Sequence, residues 1–174
     1  NLGNILKDLG KLQEAEFSIR KAIELNPDLA ETHLNLGIIL RDLGKLKEAE
    51  LSIRKAFELK PDLAEAHLNL GNILRDLGNL QEAELSTRKA IELKPNLGEA
   101  YFNLGLILQE NFKFNEALYN YKKAKEHKID PKLCFKKIGE ILLKQGNHIE
   151  GIRNLRKGEG TIIFDIENGF FKIL

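Results

Sequence analysis

Apolar positions recur three and four residues apart along most of this chain. In "AETHLNLGIILRDLG", residues 30 to 44, His33, Leu36, Ile39, Leu40 and Leu43 share one helical face, and in "KLKEAELSIRKAFELKP" so do Leu46, Ala49, Ile53, Ala56 and Phe57. Gly44 ends the first segment and Pro61 follows the second, where it cannot continue a helix. Each such block predicts a helical hairpin. One polar residue, Asn35, interrupts the first segment's leucines and returns as Asn69.

The blocks repeat. Gly3, Gly37, Gly71, Gly105 and Gly139 are spaced by 34, as are Ala15, Ala49, Ala83 and Ala117. Of residues 1 to 31, 25 recur identically at 35 to 65. Glycine on the first helix and alanine at two places on the second allow axes to approach within roughly 8–10 Å. One such hairpin cannot bury its apolar face, so neighbours must stack.

The spacing closely resembles the tetratricopeptide repeat. Counting from Ala30, the motif's small residues at positions 8, 20 and 27 are Gly37, Ala49 and Ala56, and its proline at 32 is Pro61. His33, His67, Tyr101 and Phe135 stand where an aromatic is common. The resemblance implies an all-α fold, a right-handed superhelical solenoid over residues 1–157, divided as 1–29, 30–63, 64–97, 98–131 and a degenerate 132–157. In the last of these Gly151 and Gly158 replace the two alanines, at about 1 kcal/mol each relative to Ala in a helix. Phe112 stands where the interhelix glycine belongs, and the proline is displaced to Pro131.

Residues 158–174 leave the helical pattern. In "GTIIFDIENGFFKIL" the Asn168-Gly169 dipeptide predicts a two-residue β-hairpin that pairs Ile166 with Phe171, Asp165 with Lys172 and Phe164 with Ile173. This tail reads as a cap on the last helical pair, or as the start of another domain. The absence of an initial Met and the truncated first repeat suggest a piece of a longer protein.

A net charge of +1 argues against a general nucleic-acid binder, yet residues 121–157 carry 11 Lys/Arg against 4 Asp/Glu. No apolar run has the length of a membrane span, and a lone Cys134 makes no internal disulfide, so a cytoplasmic setting is expected. No catalytic or metal-binding spacing occurs among the four His and one Cys, which points away from an enzyme and from any cofactor or metal. His33 and His67 share a packing position. Cys134, with no His beside it, reads as an inert thiol.

The polar residues of the first helices are the candidate site. The ladder Asn35, Asn69, Asn103 is joined by Asn72, by Asp42 and Asp76, and by Arg41 and Arg75. In tetratricopeptide superhelices the first helices line the concave groove, so the resemblance places these residues there. A carboxamide donates and accepts, and so grips a peptide backbone without reading its sequence. First helices roughly 10 Å apart would meet about every third residue of an extended chain. The arrangement is similar to the asparagine ladder of the O-linked N-acetylglucosamine transferase repeats. Leu34, Leu68 and Phe102 beside the asparagines are candidate apolar contacts.

Lys136 and Lys137 introduce charge at the C-terminal end, where an acidic segment of a partner is the expected ligand. Asn72, Asn103 and Lys137 match three places of the carboxylate clamp of tetratricopeptide co-chaperones, but Leu68 and Leu133 replace its other lysines. The sequence thus points to a protein or peptide partner held in a groove. Alternatives are a structural scaffold that self-associates end to end or through hairpin edges, and the recognition arm of an enzyme whose catalytic domain lies elsewhere.

Overall fold

The computed structural model describes residues 9–160, and the backbone of 162–165 and 170–173. Nine helices follow one another in the described part: α1 Leu12–Leu25, α2 Ala30–Asp42, α3 Leu46–Leu59, α4 Ala64–Asp76, α5 Leu80–Leu93, α6 Gly98–Glu110, α7 Phe114–Glu126, α8 Pro131–Lys144 and α9 His148–Glu159. They fall into two compact units, residues 1–95 and 96–174.

In the first unit α2 pairs with α3 and α4 with α5, while α1 packs on α2 and α3 on α4. Its core is the buried apolar stripe that the spacing predicts, including Ile19, Ile39, Leu40, Ile53, Ile73 and Leu74. A Cβ added to Gly37 would sit 2.5 Å from the Ile53 side chain, which is why the first helix carries no side chain there. His33 Nε2 lies 2.8 Å from the Pro27 carbonyl oxygen and His67 Nε2 lies 3.1 Å from that of Pro61. The His67 ring also stacks on Phe57 at 5.4 Å, so this position packs one repeat on the previous one.

The turn inside each hairpin is a Schellman closure. Gly44 N–H donates to the Arg41 carbonyl at 2.9 Å, Lys45 N–H donates to that of Leu40 at 2.8 Å, and Gly44 adopts φ +75°. Phe112 makes the same closure in the second unit, with φ 59° and a side chain 81% exposed. A non-glycine residue pays steric strain there.

The second unit pairs α6 with α7 and α8 with α9, and packs α7 on α8. Pro131 does not end a helix: it is the first residue of α8, and the Asp130 carboxylate caps that helix by accepting from Lys132 N–H at 2.9 Å. Gly151 and Gly158, read from sequence as weak points, are sites of close approach. A Cβ on Gly158 would lie 2.7 Å from the Lys132 carbonyl oxygen and 2.8 Å from Lys136 N.

The tail needs correction. Two short strands, β1 Ile162–Asp165 and β2 Phe170–Ile173, pair antiparallel as Ile162 with Ile173, Ile163 with Lys172, Phe164 with Phe171 and Asp165 with Phe170. This register is displaced by two residues from the expected one, and four residues, 166–169, separate the strands. An Asn-Gly dipeptide carries a turn preference in sequence but does not fix loop length, because four-residue loops also use such residues. Residues 166–169 lie outside the described residues, and the fold is defined by the helices alone.

Candidate functional site

The polar faces of α2 and α4 lie on neighbouring helices of the first unit. Asn35 is half-buried on α2. Asn69, also half-buried, donates from Nδ2 to the Glu65 carbonyl oxygen at 2.8 Å, so its amide group is used within its own helix. Asn72, one turn further along α4, is only 9% exposed, and its Oδ1 has no hydrogen-bond partner. A buried acceptor left unmet costs free energy, and such atoms are rare in native proteins.

The charged candidates form a bridge between the two helices. Asp76 accepts from Arg41 Nε at 2.9 Å and from Arg75 Nη2 at 2.9 Å. Burial pushes the Asp76 carboxyl up, but the two guanidinium groups outweigh it and hold the carboxyl below its ordinary range. Asp42 is exposed at the end of α2. Glu31 and Glu65 at the other end pair with Lys60 at 3.2 Å and Lys94 at 2.8 Å. Hydrogen bonding from Lys94 holds the Glu65 carboxyl low, helped by the helix's own backbone.

Leu34 and Leu68 are not available as apolar contacts, since both are buried in the core. Adjacent residues of a helix point about 100° apart, so a leucine next to a half-buried asparagine turns inward.

In the second unit Asn103 is half-buried on α6, and Phe102 tilts against Tyr121 at 5.4 Å. Lys136 is paired with Glu159, and Lys137 with Glu140 at 2.9 Å. Both basic candidates therefore already hold carboxylates. Two lysines the sequence reading passed over, Lys125 and Lys157, sit 4.7 and 5.4 Å from the Phe135 ring centroid. Nothing in the periodicity links them, because they come from α7 and α9 and meet only in the packed structure.

Cys134 is fully buried, and desolvation followed by the nearby Asp130 raises its thiol pKa, which makes it a poor nucleophile. Among the described residues no cluster of three potential metal ligands occurs, and no helix is long and apolar enough to cross a membrane.

A second regularity escaped the apolar stripe. Phe17, Leu51 and Leu85 stand at the same repeat position on α1, α3 and α5 and are 66–70% exposed, whereas the preceding Glu16, Glu50 and Glu84 have side chains only 12–17% exposed. The signal was present in the sequence as an apolar residue outside the helical stripe, recurring every 34 residues.

Stacked helical hairpins with small residues at fixed contacts define a repeat protein of the all-α solenoid class. The repeats themselves are tetratricopeptide repeats: one family model for that repeat matches residues 1–29 and 64–97, and a second matches 19–50. Solved structures agree. A crystal structure of MamA is 25% identical, covers 91% of this chain and 92% of its own, and superposes with a TM-score of 0.80. PilF of Pseudomonas aeruginosa is 22% identical over 92% of this chain and 74% of its own, with a TM-score of 0.82. YrrB, described as a tetratricopeptide protein with an unusual peptide-binding site, is 24% identical over 90% and 80%, with a TM-score of 0.72. The last two show the fold alone. The fold class shared with MamA is all-helical, and the C-terminal β-hairpin expected from sequence is no part of it. No curated protein matches the chain. An array of tetratricopeptide repeats is a protein-interaction scaffold.

Proposed function

We propose that this chain binds an extended segment of a partner protein against the polar faces of its first helices, with Asn72 as the central contact. The observation that carries the reading is the buried Asn72 Oδ1 without a donor. Oδ1 is covered in the free chain, so the Asn72 amide must rotate outward on binding. A backbone N–H of an extended ligand then supplies the missing donor, and the amide N–H groups of Asn72 meet a ligand carbonyl. Asn35 on the neighbouring helix is a further amide of the same kind, and Asn103 offers the second unit one of its own. The packing of α2 and α4 around α3, with a small addition from the Arg41–Asp76–Arg75 bridge, sets these faces before binding and so lowers its ordering cost.

Lys136 and Lys137 play a smaller part. Each must exchange a carboxylate of its own chain for one on the ligand, so an acidic segment gains little affinity there.

Asn72→Leu separates a binding role from a packing role. The preceding and following repeats carry Ile38 and Leu106 at this position, so an aliphatic side chain suits the helix. Removing an unmet buried acceptor should raise stability by about 1 kcal/mol. Binding to an array of immobilised unstructured peptides, scored for those that the unaltered chain retains, should fall about tenfold. Unchanged peptide binding in a more stable Asn72→Leu variant would overturn the reading.

A further inference from the structure

The second helices of the first unit carry a surface that the peptide reading does not use. On α1, α3 and α5 an acidic residue whose side chain is largely covered is followed by an apolar residue that is exposed: Glu16 then Phe17, Glu50 then Leu51, Glu84 then Leu85. Exchanging the two residues would cover the apolar group and free the acid, so the arrangement is the reverse of what a solvated helix favours. Copying of one ancestral repeat is not a full account. The residue changes between Phe and Leu while staying apolar, whereas the position four before it alternates Gln13, Lys47 and Gln81.

The three apolar residues lie in one row. Arg20 of α1 donates to Glu48 of α3 at 2.7 Å, and Arg54 of α3 donates to Glu82 of α5 at 2.9 Å. These bridges join the helices about one turn from the apolar residues. Each apolar residue is also flanked in the same order, with an acid three residues before and a lysine four after: Glu14-Phe17-Lys21, Glu48-Leu51-Lys55 and Glu82-Leu85-Lys89. This order is self-complementary. Reversing a helix against its own copy sets acid opposite lysine at both ends and apolar against apolar at the centre.

We propose that this second-helix face docks a second copy of the chain in a twofold arrangement centred on α3. Leu51 then meets the second copy's Leu51, Phe17 its Phe17 and Leu85 its Leu85, because helices docked face to face and antiparallel place the twofold axis along the row. The 34-residue period of the two faces matches by construction, so the three contacts form together. Glu48 and Lys55 trade their exposed intramolecular partners, Arg20 and Glu58, for ones across the interface, an exchange of weak pairs for weak pairs. The apolar row supplies the attraction and the charges set the antiparallel register. The first-helix faces stay open to a ligand.

Sedimentation of the 174-residue chain over a dilution series tests this, with far-UV circular dichroism confirming that each variant folds. The unaltered chain should show a monomer–dimer equilibrium. Leu51→Glu places two acids on the twofold axis and should weaken dimerisation about tenfold or more. Glu48→Lys alone should weaken it less, and Glu48→Lys combined with Lys55→Glu should restore it. A chain that stays monomeric at every concentration, a dimer indifferent to Leu51→Glu, or a charge swap that fails to rescue would each overturn the proposal.

Discussion

Neither helix of the α2–α3 hairpin begins with a side-chain cap, whereas both helices of the α8–α9 hairpin do, through Asp130 and Asn147. The difference extends to the contact between the helices. At the position of Gly37, which faces the Ile53 side chain, Gly139 of α8–α9 likewise faces a side chain, Leu155 at 2.7 Å. The added closeness is at Gly158, where α2–α3 has Ala56 and a Cβ would meet backbone atoms of Lys132 and Lys136. The earlier hairpin relies on its neighbours, since α1 and α4 cover it and ion pairs such as Arg41–Asp76 cross to the next repeat. The last pair is fastened more by its own caps and by closely spaced backbones. Near-identical repeats share stability along an array, and a divergent repeat supplies more of its own.

The largest expected effect tests that contrast directly. Gly158→Ala puts a Cβ within 2.7–2.8 Å of backbone that cannot rotate away, so overpacking should outweigh the gain in helix propensity and destabilise α8–α9 by about 1–2 kcal/mol. Gly37→Ala meets the fully buried Ile53 side chain at 2.5 Å, which yields only by shifting its core neighbours but can still move where backbone cannot, and should cost somewhat less. Amide hydrogen exchange in α9 and in α3 measures the two separately. Equal losses would mean that backbone closeness is not what distinguishes the last pair.

Phe112 sharpens the comparison with the opposite sign. Gly44, Gly78 and Gly146 occupy the same turn position with φ between +75° and +81°, and Phe112 is held at φ 59° in their place. Its exposed ring gains only an edge contact with Phe114 at 6.1 Å. Phe112→Gly should therefore stabilise the α6–α7 hairpin by about 1 kcal/mol, read as slower exchange of α7 amides. A loss of stability would show that the aromatic contact outweighs the backbone strain.

The sequence made the hairpins legible because period, glycine, alanine and proline all constrain the same packing. Gly37 against Ile53 is a local fact repeated every 34 residues, so counting finds it. What counting missed depends on contacts between elements of different repeats. Asp76 was recognisable as polar, but its pairing with Arg41 appears only when α2 and α4 are set side by side. Asn69 and Asn72 looked alike in sequence, yet one bonds its own helix and the other has an unmet acceptor. Their difference is one of burial and rotamer, which residue type does not encode. The tail register failed for a related reason, since a dipeptide carries turn preference but not strand pairing over distance.

The smallest effect concerns the ion bridge on which the earlier repeats depend and α8–α9 does not. Asp76 has a folded-state pKa below its ordinary value, so its contribution is present in full above the unfolded carboxylate pKa of about 3.9 and is lost as pH falls through the lower folded value. Lys136, raised by its Glu159 partner, titrates far above neutrality and does not affect that acid window. Asp76→Asn should thus remove a few tenths of a kcal/mol at neutral pH, in keeping with a partly exposed pair, and flatten the acid-side loss of protection in α4. Exchange in α9 should be unchanged, because no group in that hairpin takes part in the bridge. Hydrogen exchange at neutral and acid pH measures all of these amides together. An acid dependence in α4 that survives Asp76→Asn would move the origin of its sensitivity to the Glu65–Lys94 pair on the same helix, whose carboxyl is also held low.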